Sequence, residues 1–360
     1  MKILLLFSSS ELGGAERSLS RMCFASTNVE FELATLKAEG PWCTWVRAQG
    51  KSPIVLGKKG SHGGGIFWSF VSLFRYLRQH PVDIVYVCGV RAALWLRLLR
   101  FFIPGTKIVH GVRWNPDSNS RLDLIFRIVE RMSSRFNDAW ITNSEVAKVT
   151  LANRCGVPLN RIHVIYNGID ALPSIERSHL CRSMEVLTVA NLSPRKGHRE
   201  FLAVIKSVVQ MVPESRFVFV GRDDMHGSVQ QAIIDEGLAG SVDYAGFQAD
   251  VSPWFRRARL FVLPSVWGEG CPTSILEAFS FGMPVIAHSI DGVPELVRHG
   301  EDGYLVQVGD PDLAIKIVEL LHNPERAMLM GDAGRKKVAA HFLLQACIDQ
   351  HEAVFKGLVR

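Results

Sequence analysis

The chain has 360 residues, of which 48% are hydrophobic and 21% charged, with a formal net charge of +6. This length exceeds one ordinary hydrophobic core and predicts about two domains. No run of 18 apolar residues is present, so the sequence excludes a membrane-spanning helix, and low-complexity tracts and internal repeats are also absent.

The positive charge is unevenly distributed. Residues 1–170 hold 22 Lys and Arg against 12 Asp and Glu, whereas residues 171–360 hold 19 against 23. Chance surface composition is one interpretation. The other is that the first half meets an anionic partner, such as a membrane surface or a phosphorylated substrate.

The seven cysteines are odd in number and widely spaced, without a Cys-x-x-Cys pair. The start Met1–Phe7 lacks the charged leader and cleavage site of a signal peptide and is more typical of a first strand. We therefore expect a reducing compartment, buried cysteines and no zinc site.

Strand-like and helix-like segments alternate along the first half, which predicts βαβ units and a mainly parallel sheet. Strands are expected at 2–7, 31–36, 53–56, 83–88, 107–110, 139–142 and 162–165, and helices at 15–26, 67–79, 91–101, 120–135 and 145–154. A basic glycine-rich loop is expected at 57–65, and a turn is expected at Asn167–Asp170, where this half of the chain ends.

A second alternating series predicts a second α/β domain. Strands are expected at 185–190, 216–220, 242–245, 259–263, 284–287 and 304–306, and helices at 198–211, 227–236, 251–257, 273–281, 311–321 and about 325–358, with a break near His341. The predicted organisation is a domain at 1–170, a linker at 171–184, a domain at 185–340 and a C-terminal helix at 341–360, with packing back on the first domain as one option for that helix. Two such domains predict a substrate cleft between them.

Aromatic residues and arginines interleave in two predicted helices of the first half. Residues 92–103 are apolar except for Arg97 and Arg100, and residues 67–78 have a similar composition. Helices in the plane of a membrane interface have this pattern, as do core helices with arginines whose charged ends reach water.

Two carboxylates, Glu269 and Glu277, are separated by seven residues after a predicted buried strand. Glu269 is expected on the loop and Glu277 in the first turn of the following helix. The carboxyl end of a parallel strand is where open α/β sheets bind ligands, and carboxylates accept hydrogen bonds from ligand hydroxyls. A capping box formed by Ser274 and Glu277 at the start of a helix is the structural alternative.

Three further segments carry candidate ligand groups. Gly13 and Gly14 lie between the first strand and a helix, where they either form an ordinary turn or let the backbone approach a phosphate closely. Arg195 and Lys196 follow a strand, where they form either a solvated basic loop or a site that neutralises a diphosphate leaving group. His110 ends a strand, where it is either structural or near a reacting sugar.

The ordered motifs resemble those of retaining glycosyltransferases of family 4, also called glycosyl transferase group 1, which have the GT-B fold of two facing Rossmann-like domains. The matching segments are Gly13-Gly14-Ala15-Glu16, Asn143-Ser144, residues 166–170, Arg195-Lys196-Gly197, Gly221, Gly246-Phe247, Leu263-Pro264-Ser265, residues 269–277, residues 282–285 and residues 292–295.

This resemblance implies a role for each candidate residue. Glu277 would bind the donor ribose. The transferred sugar would be bound by Glu269 together with the backbone of Gly270, Cys271 and Pro272. The diphosphate would be bound by Lys196 and Arg195. Gly13 and Gly14 would close over the diphosphate, His110 would lie near the reacting carbon, and Gly221 and Phe247 would belong to the nucleotide site. His110, Glu269 and Lys196 are the expected catalytic residues, with neither a metal nor a cofactor.

The implied activity is transfer of a sugar, with retention of configuration, from a nucleotide diphosphate sugar to a lipid-linked or saccharide acceptor in cell-surface polysaccharide or glycolipid synthesis. UDP is the expected nucleotide, ahead of GDP, and nucleic acid is not an expected partner. The location would be cytoplasmic, with a peripheral position on the inner face of the membrane as an option.

One departure keeps alternatives open. The family usually has arginine where this chain has Asn191, so diphosphate binding would need Arg195 or Arg222 as a substitute. A sugar-nucleotide epimerase and a non-catalytic partner subunit are the alternative functions.

Overall fold

The computed structural model describes residues 1–57, 65–113, 121–174 and 183–359. The chain divides into two compact units. The first contains residues 1–168 together with the residues from Leu344 onward, and the second contains Ile169–Leu343.

The first unit is built on a seven-stranded sheet with the strand order β3-β2-β1-β4-β5-β6-β7. Its strands are β1 (Lys2–Phe7), β2 (Glu30–Thr35), β3 (Ile54–Val55), β4 (Ile84–Cys88), β5 (Lys107–Val112), β6 (Ala139–Thr142) and β7 (Ile162–Val164). Each pair of neighbouring strands in this sheet is parallel. The sheet order reverses between β1 and β4, which makes that edge the topological switch point of the unit.

The helices of the first unit are α1 (Gly14–Ala25), α2 (Pro41–Ala48), α3 (Gly65–Gln79), α4 (Val90–Leu99), α5 (Arg121–Ser133), α6 (Glu145–Cys155) and the last helix of the chain, α14 (Leu344–Val359). The last helix belongs to the core of this unit, because Cys347, Ile348 and Phe355 pack with Ile3 and Leu5 of the first strand. The apolar runs of the central strands are buried on both faces, as a parallel sheet between helices requires.

The second unit contains a six-stranded parallel sheet with the order β10-β9-β8-β11-β12-β13. Its strands are β8 (Glu185–Val189), β9 (Arg216–Val220), β10 (Val242–Gly246), β11 (Leu260–Leu263), β12 (Val285–His288) and β13 (Gly303–Val306). Its helices are α7 (His198–Met211), α8 (Ser228–Asp235), α9 (Ser252–Arg257), α10 (Thr273–Ser280), α11 (Val293–Leu296), α12 (Asp312–His322) and α13 (Pro324–His341).

The predicted α/β class, with two Rossmann-like domains that each contain a parallel sheet, is confirmed. Two short helices were not predicted, α2 at Pro41–Ala48 and α11 at Val293–Leu296. Most of the predicted basic loop at 57–65 and of the predicted linker at 171–184 lies outside the described residues.

Arg97 fits neither of the two interpretations of its helix, because its charged end reaches neither a membrane interface nor water. Its side chain is only 1% exposed and forms a two-pronged ion pair with Glu130 inside the first unit. Arg100 is half-buried and pairs with Asp138. No helix in the described ranges is long and apolar enough to cross a membrane. The six cysteines in those ranges are free and buried.

Candidate functional site

The predicted donor-binding residues of the second unit follow two adjacent strands. Strand β8 pairs directly with β11, and the sheet order reverses between them. Ligands of open α/β sheets bind at such a switch point, beyond the carboxyl ends of the strands. Lys196 follows β8 and Glu269 follows β11, so the topology brings these two side chains together at that edge.

Lys196 and Glu269 form a buried ion pair through Nζ and Oε1. The same carboxylate oxygen accepts a hydrogen bond of 2.6 Å from Ser265 Oγ, and the guanidinium of Arg195 lies 3.9 Å away. A backbone hydrogen bond of 2.8 Å from Val266 to the carbonyl of Arg195 fastens the two loops to each other. The pairing of Lys196 with Glu269 was not predicted from the sequence.

Burial alone would raise the pKa of Glu269, but the positive charges of Lys196 and Arg195 outweigh it and hold that pKa below its usual value. Glu269 is therefore a carboxylate at neutral pH, able to accept hydrogen bonds from a ligand hydroxyl. Among the described residues, no group of three or more His, Cys, Asp or Glu is placed to hold a metal ion.

Lys196 lies at the end of a short 3-10 turn, Pro194–Lys196, and Gly197 then reverses the chain into α7. Gly197 has a left-handed backbone with φ of +68°, and a Cβ atom there would lie 2.1 Å from the carbonyl oxygen of Pro264. Only glycine satisfies both conditions, so the position of Lys196 depends on Gly197.

Glu277 lies in the second turn of α10 rather than in the first, and it is half-buried. The alternative capping box is not formed, because the residue that precedes the helix is Pro272 and Ser274 is already inside the helix. Gly270, Cys271 and Pro272 are buried in the segment that joins Glu269 to α10. The structure therefore removes the capping explanation for the Ser274–Glu277 pattern.

Gly221 and Phe247 follow β9 and β10, further from the switch point. A Cβ atom on Gly221 would lie 2.1 Å from the carbonyl oxygen of Ala190, so packing alone requires this glycine. Phe247 is 51% exposed.

Asn191 uses its side-chain oxygen to accept a hydrogen bond of 3.2 Å from the backbone N–H of Arg222. The guanidinium of Arg222 is paired with Asp224, with 2.6 Å between Nε and Oδ1. Of the two candidate replacements for the missing arginine, Arg195 is therefore the one beside Lys196 and Glu269.

In the first unit, Gly13 precedes α1 and Gly14 is its first residue, next to the switch point between β1 and β4. A Cβ atom on Gly14 would meet nothing within 4 Å, whereas one on Gly13 would lie 2.7 Å from Glu16 Oε2. Packing within the described structure does not explain a glycine at position 14. Close approach of a ligand would explain it.

His110 lies in β5, is 2% exposed and points Nδ1 toward a buried ion pair. Nδ1 is 3.5 Å from Glu130 Oε1 and 3.4 Å from Arg97 Nη2. Burial would raise the pKa of Glu130, but its contacts with His110 and Arg97 keep that pKa far below the usual value. The negative charge of Glu130 therefore persists next to the ring, and sequence reasoning missed both neighbours of His110.

Comparison with known proteins places this fold and these motifs in a family. The model for Glycosyltransferase Family 4 matches residues 12–171 and the model for Glycosyl transferases group 1 matches residues 183–323, so together they cover most of the chain. The chain is 25% identical over 308 residues to the UDP-Gal:alpha-D-GlcNAc-diphosphoundecaprenol alpha-1,3-galactosyltransferase of Escherichia coli, covering 81% of this chain and 79% of that protein. It is 27% identical over 290 residues to the putative glycosyltransferase EpsD of Bacillus subtilis, covering 74% and 75%.

The fold is also that of Anabaena Alr3699/HepE, whose crystal structure contains UDP and glucose. The TM-score is 0.86 at 21% identity, over 99% of this chain and 100% of that chain. The predicted GT-B class is confirmed by this likeness. The two family models and the shared fold lead to one conclusion: the chain belongs to the family 4 glycosyltransferases.

Proposed function

We propose that the enzyme transfers a sugar from a UDP-sugar to a lipid-linked or saccharide acceptor, with retention of anomeric configuration. The observation that carries this proposal is the buried Lys196–Glu269 pair at the switch point of the second unit. Two neighbours support it. One relative is described as a UDP-Gal transferase that acts on a diphosphoundecaprenol-linked sugar, and one solved structure contains UDP and glucose.

In the proposed reaction the bond between the anomeric carbon and the diphosphate oxygen breaks, and the acceptor oxygen bonds to that carbon on the same face. The acceptor proton passes to the departing phosphate. Negative charge grows on the diphosphate as the bond breaks, and Lys196 is the cation proposed to stabilise it. Glu269 would accept hydrogen bonds from the transferred sugar and Glu277 from the ribose. No metal or cofactor is part of the proposal.

We assign the second diphosphate contact to Arg195 and not to Arg222. Arg195 already lies within 3.9 Å of Glu269, whereas Arg222 is held by Asp224 and its backbone is held by Asn191. The roles of Gly13 and Gly14, beyond the carboxyl end of β1, stay predictions, as does that of His110, which lies within β5 and not at its end as predicted. The roles of Gly221 and of the segment Gly270–Pro272 also stay predictions.

A lipid-linked acceptor remains in the bilayer, so we also propose that the enzyme works at the inner face of the cytoplasmic membrane. The sugar chains it extends would belong to a cell-surface polysaccharide or glycolipid. The excess of positive charge in residues 1–170 suits an anionic membrane surface.

A donor screen followed by matched variants tests the proposal. Purified enzyme is incubated with UDP- and GDP-sugars, with and without a diphosphoundecaprenol-linked sugar, and release of nucleotide and the anomeric configuration of the product are measured. Lys196→Gln is expected to lower kcat by about 100-fold or more, because it removes a charge from the transition state. Lys206→Gln is the matched control, since Lys206 lies on the exposed side of α7 and pairs only with Glu236 in the described structure.

Arg195→Gln is expected to weaken donor binding, and Arg222→Gln is expected to leave it within a few-fold of the wild type. Normal transfer by the Lys196→Gln enzyme would refute the assigned role. An inverted product would refute retention, and an isomeric donor formed without acceptor would indicate an epimerase.

A further inference from the structure

Large apolar side chains are exposed on one surface of the first unit. Nine of them, each 38–71% exposed, come from α3, from α4 with the 3-10 turn that follows it, and from the end of α5. We call this surface the aromatic patch, and it consists of Phe67, Trp68, Trp95, Leu98, Phe101, Phe102, Ile128, Val129 and Met132.

Ring contacts connect α3 with α4 and with the turn after α4, and connect that turn with the turn after α5. Trp95 stacks on Phe70 of α3 with 5.2 Å between ring centroids. Phe102 contacts Phe74 of the same helix at 5.9 Å, and Phe101 contacts Phe136 at 5.4 Å, just beyond α5. Helices α3 and α4 are in contact, as are α4 and α5.

These residues are not required by the core of the unit. The buried faces of the same helices already carry apolar side chains, including Leu73 and Leu77 of α3 and Ala93 and Leu96 of α4. A surface helix of a globular protein normally has a polar outer face. An apolar outer face on neighbouring helices marks an interaction surface.

The charge around the patch is positive. Arg75, Arg78, Arg131 and Arg135 are exposed there, and Arg78 and Arg135 lie over the rings of Phe74 and Phe136 at 5.8 Å and 5.0 Å.

The carboxylates among the described side chains of residues 67–113 and 127–138 all bond within the unit. Asp83 accepts from the backbone of Lys2, Glu130 pairs with Arg97, and Asp138 pairs with Arg100. None of these three side chains is fully exposed. The surface therefore combines aromatic rings with arginines and offers no exposed carboxylate in those ranges.

We propose that the aromatic patch is the membrane-docking surface of the enzyme, with anionic phospholipids as its partner. Phe101, Phe102 and Leu98 enter the boundary between headgroups and acyl chains, and the four arginines contact lipid phosphates. Aromatic rings and basic side chains favour that boundary over water or hydrocarbon. A second copy of the chain fits less well, because its patch would bring the same positive charges against these. This inference rests on the proposed function in one respect: the lipid-linked acceptor of that function lies in the bilayer.

Vesicle co-sedimentation of the full chain tests the proposal without any measurement of activity. Vesicles of roughly 7:3 phosphatidylcholine to phosphatidylglycerol are compared with pure phosphatidylcholine at low and high salt. We expect binding to the anionic vesicles that weakens with salt, and a loss of about tenfold or more in the partition coefficient of the Phe101→Ser/Phe102→Ser variant. Met211→Ser/Ile234→Ser removes two exposed apolar side chains from the second unit and is expected to bind like the wild type.

Arg131→Gln/Arg135→Gln separates charge from insertion, since it is expected to reduce binding at low salt and to flatten the salt dependence. Absence of binding to the anionic vesicles, or equal binding by the wild type and the Phe101→Ser/Phe102→Ser variant, would overturn the proposal. So would a concentration-dependent dimer, seen by light scattering, that this variant abolishes, because the patch would then join two copies. If transfer of sugar fails in every assay while vesicle binding holds, the proposed function is wrong and the docking surface stands.

Discussion

The carboxylate of Asp291 accepts a hydrogen bond of 3.1 Å from the backbone N–H of Glu269. The same oxygen, Oδ2, accepts another of 2.7 Å from Gly268, and the backbone N–H of Gly292 returns a bond of 3.2 Å to the carbonyl of Glu269. Asp291 has a φ of +45°, a left-handed conformation that costs a residue with a side chain about 1–2 kcal/mol. We interpret Asp291 as a positioning residue that fixes the backbone of Glu269 without contact to the reacting atoms.

Asp291→Ala is therefore expected to lower kcat/KM by about tenfold or more, because two hydrogen bonds to a charged acceptor are lost and each is worth about 1.5–3 kcal/mol. Asp291→Asn is the matched control, since asparagine tolerates the left-handed conformation and keeps one acceptor oxygen. Steady-state kinetics with a UDP-sugar measure both. If kcat/KM falls equally in the two variants, the enzyme requires the negative charge of Asp291, and the positioning of the Glu269 backbone by its hydrogen bonds is refuted as its role.

Gly197 permits a second prediction through a pair of glycines. Gly197→Ala and Gly227→Ala both place a side chain on a left-handed backbone, with φ of +68° and +82°. Only the alanine at 197 also meets a carbonyl oxygen, at 2.1 Å, whereas the one at 227 has open space around it. We expect Gly227→Ala to cost about 1 kcal/mol of stability and Gly197→Ala clearly more, together with a loss of transfer.

Thermal denaturation of the two variants beside a transfer assay gives the comparison. Similar melting temperatures for both variants would mean that the loop after β8 can accommodate a side chain at position 197. The conclusion that the position of Lys196 depends on Gly197 would then be refuted.

The alternation of buried strands and amphipathic helices predicted both sheets, because each strand of a parallel sheet is a short apolar run. The motif around Glu269 and the Arg195-Lys196 pair were also predictable, since both follow such runs. Asp291 could not be found in this way, because its role depends on a positive φ and on a loop from another strand. Arg97 was misjudged for a related reason: a charged residue in an apolar helix faces either water or a buried partner, and the partner Glu130 is 33 residues away.

His198, next to Gly197, gives a prediction for pH. Its ring is buried against Phe219, and neither ring nitrogen has a hydrogen-bond partner among the described residues. Burial, with the charge of Lys196, lowers the pKa of His198 from 6.5 to about 4. Between pH 6.5 and about pH 4, His198 is protonated in the unfolded chain but neutral in the folded protein. The free energy of unfolding therefore falls as the pH drops from above 6.5 toward 4.

At about pH 5 this effect costs about 2 kcal/mol relative to neutral pH. The His198→Leu variant lacks this titrating group. The free energy of unfolding of the variant minus that of the wild type should therefore be about 2 kcal/mol larger at about pH 5 than at about pH 7.5. Urea unfolding at both pH values measures the difference. His351, whose pKa burial also lowers, is present in both proteins and cancels. An unchanged difference would mean that His198 protonates in the folded state.

The ion pair of Arg97 with Glu130 permits the last prediction. Its two contacts, 2.5 Å and 2.9 Å, are buried, and Asn137, Ser133 and Trp140 supply further hydrogen bonds to the pair. Removal of one partner leaves the other charge buried and unpaired, at a cost of about 3–5 kcal/mol. Glu130→Gln is therefore expected to destabilise the first unit strongly, and Arg97→Met/Glu130→Leu to recover part of the loss, because no unpaired charge remains.

Arg100→Gln is the matched control, since Arg100 pairs with Asp138 in a half-exposed setting where an ion pair contributes about 0–1 kcal/mol. A double-mutant cycle in urea measures the coupling between Arg97 and Glu130. If Glu130→Gln lowers the free energy of unfolding by no more than Arg100→Gln does, the charge of Arg97 is compensated by another group. The carboxylate of Glu130 is then not what stabilises this part of the unit. Recovery in the double variant, with transfer still impaired, would instead assign Glu130 to the orientation of His110, whose Nδ1 lies 3.5 Å from it.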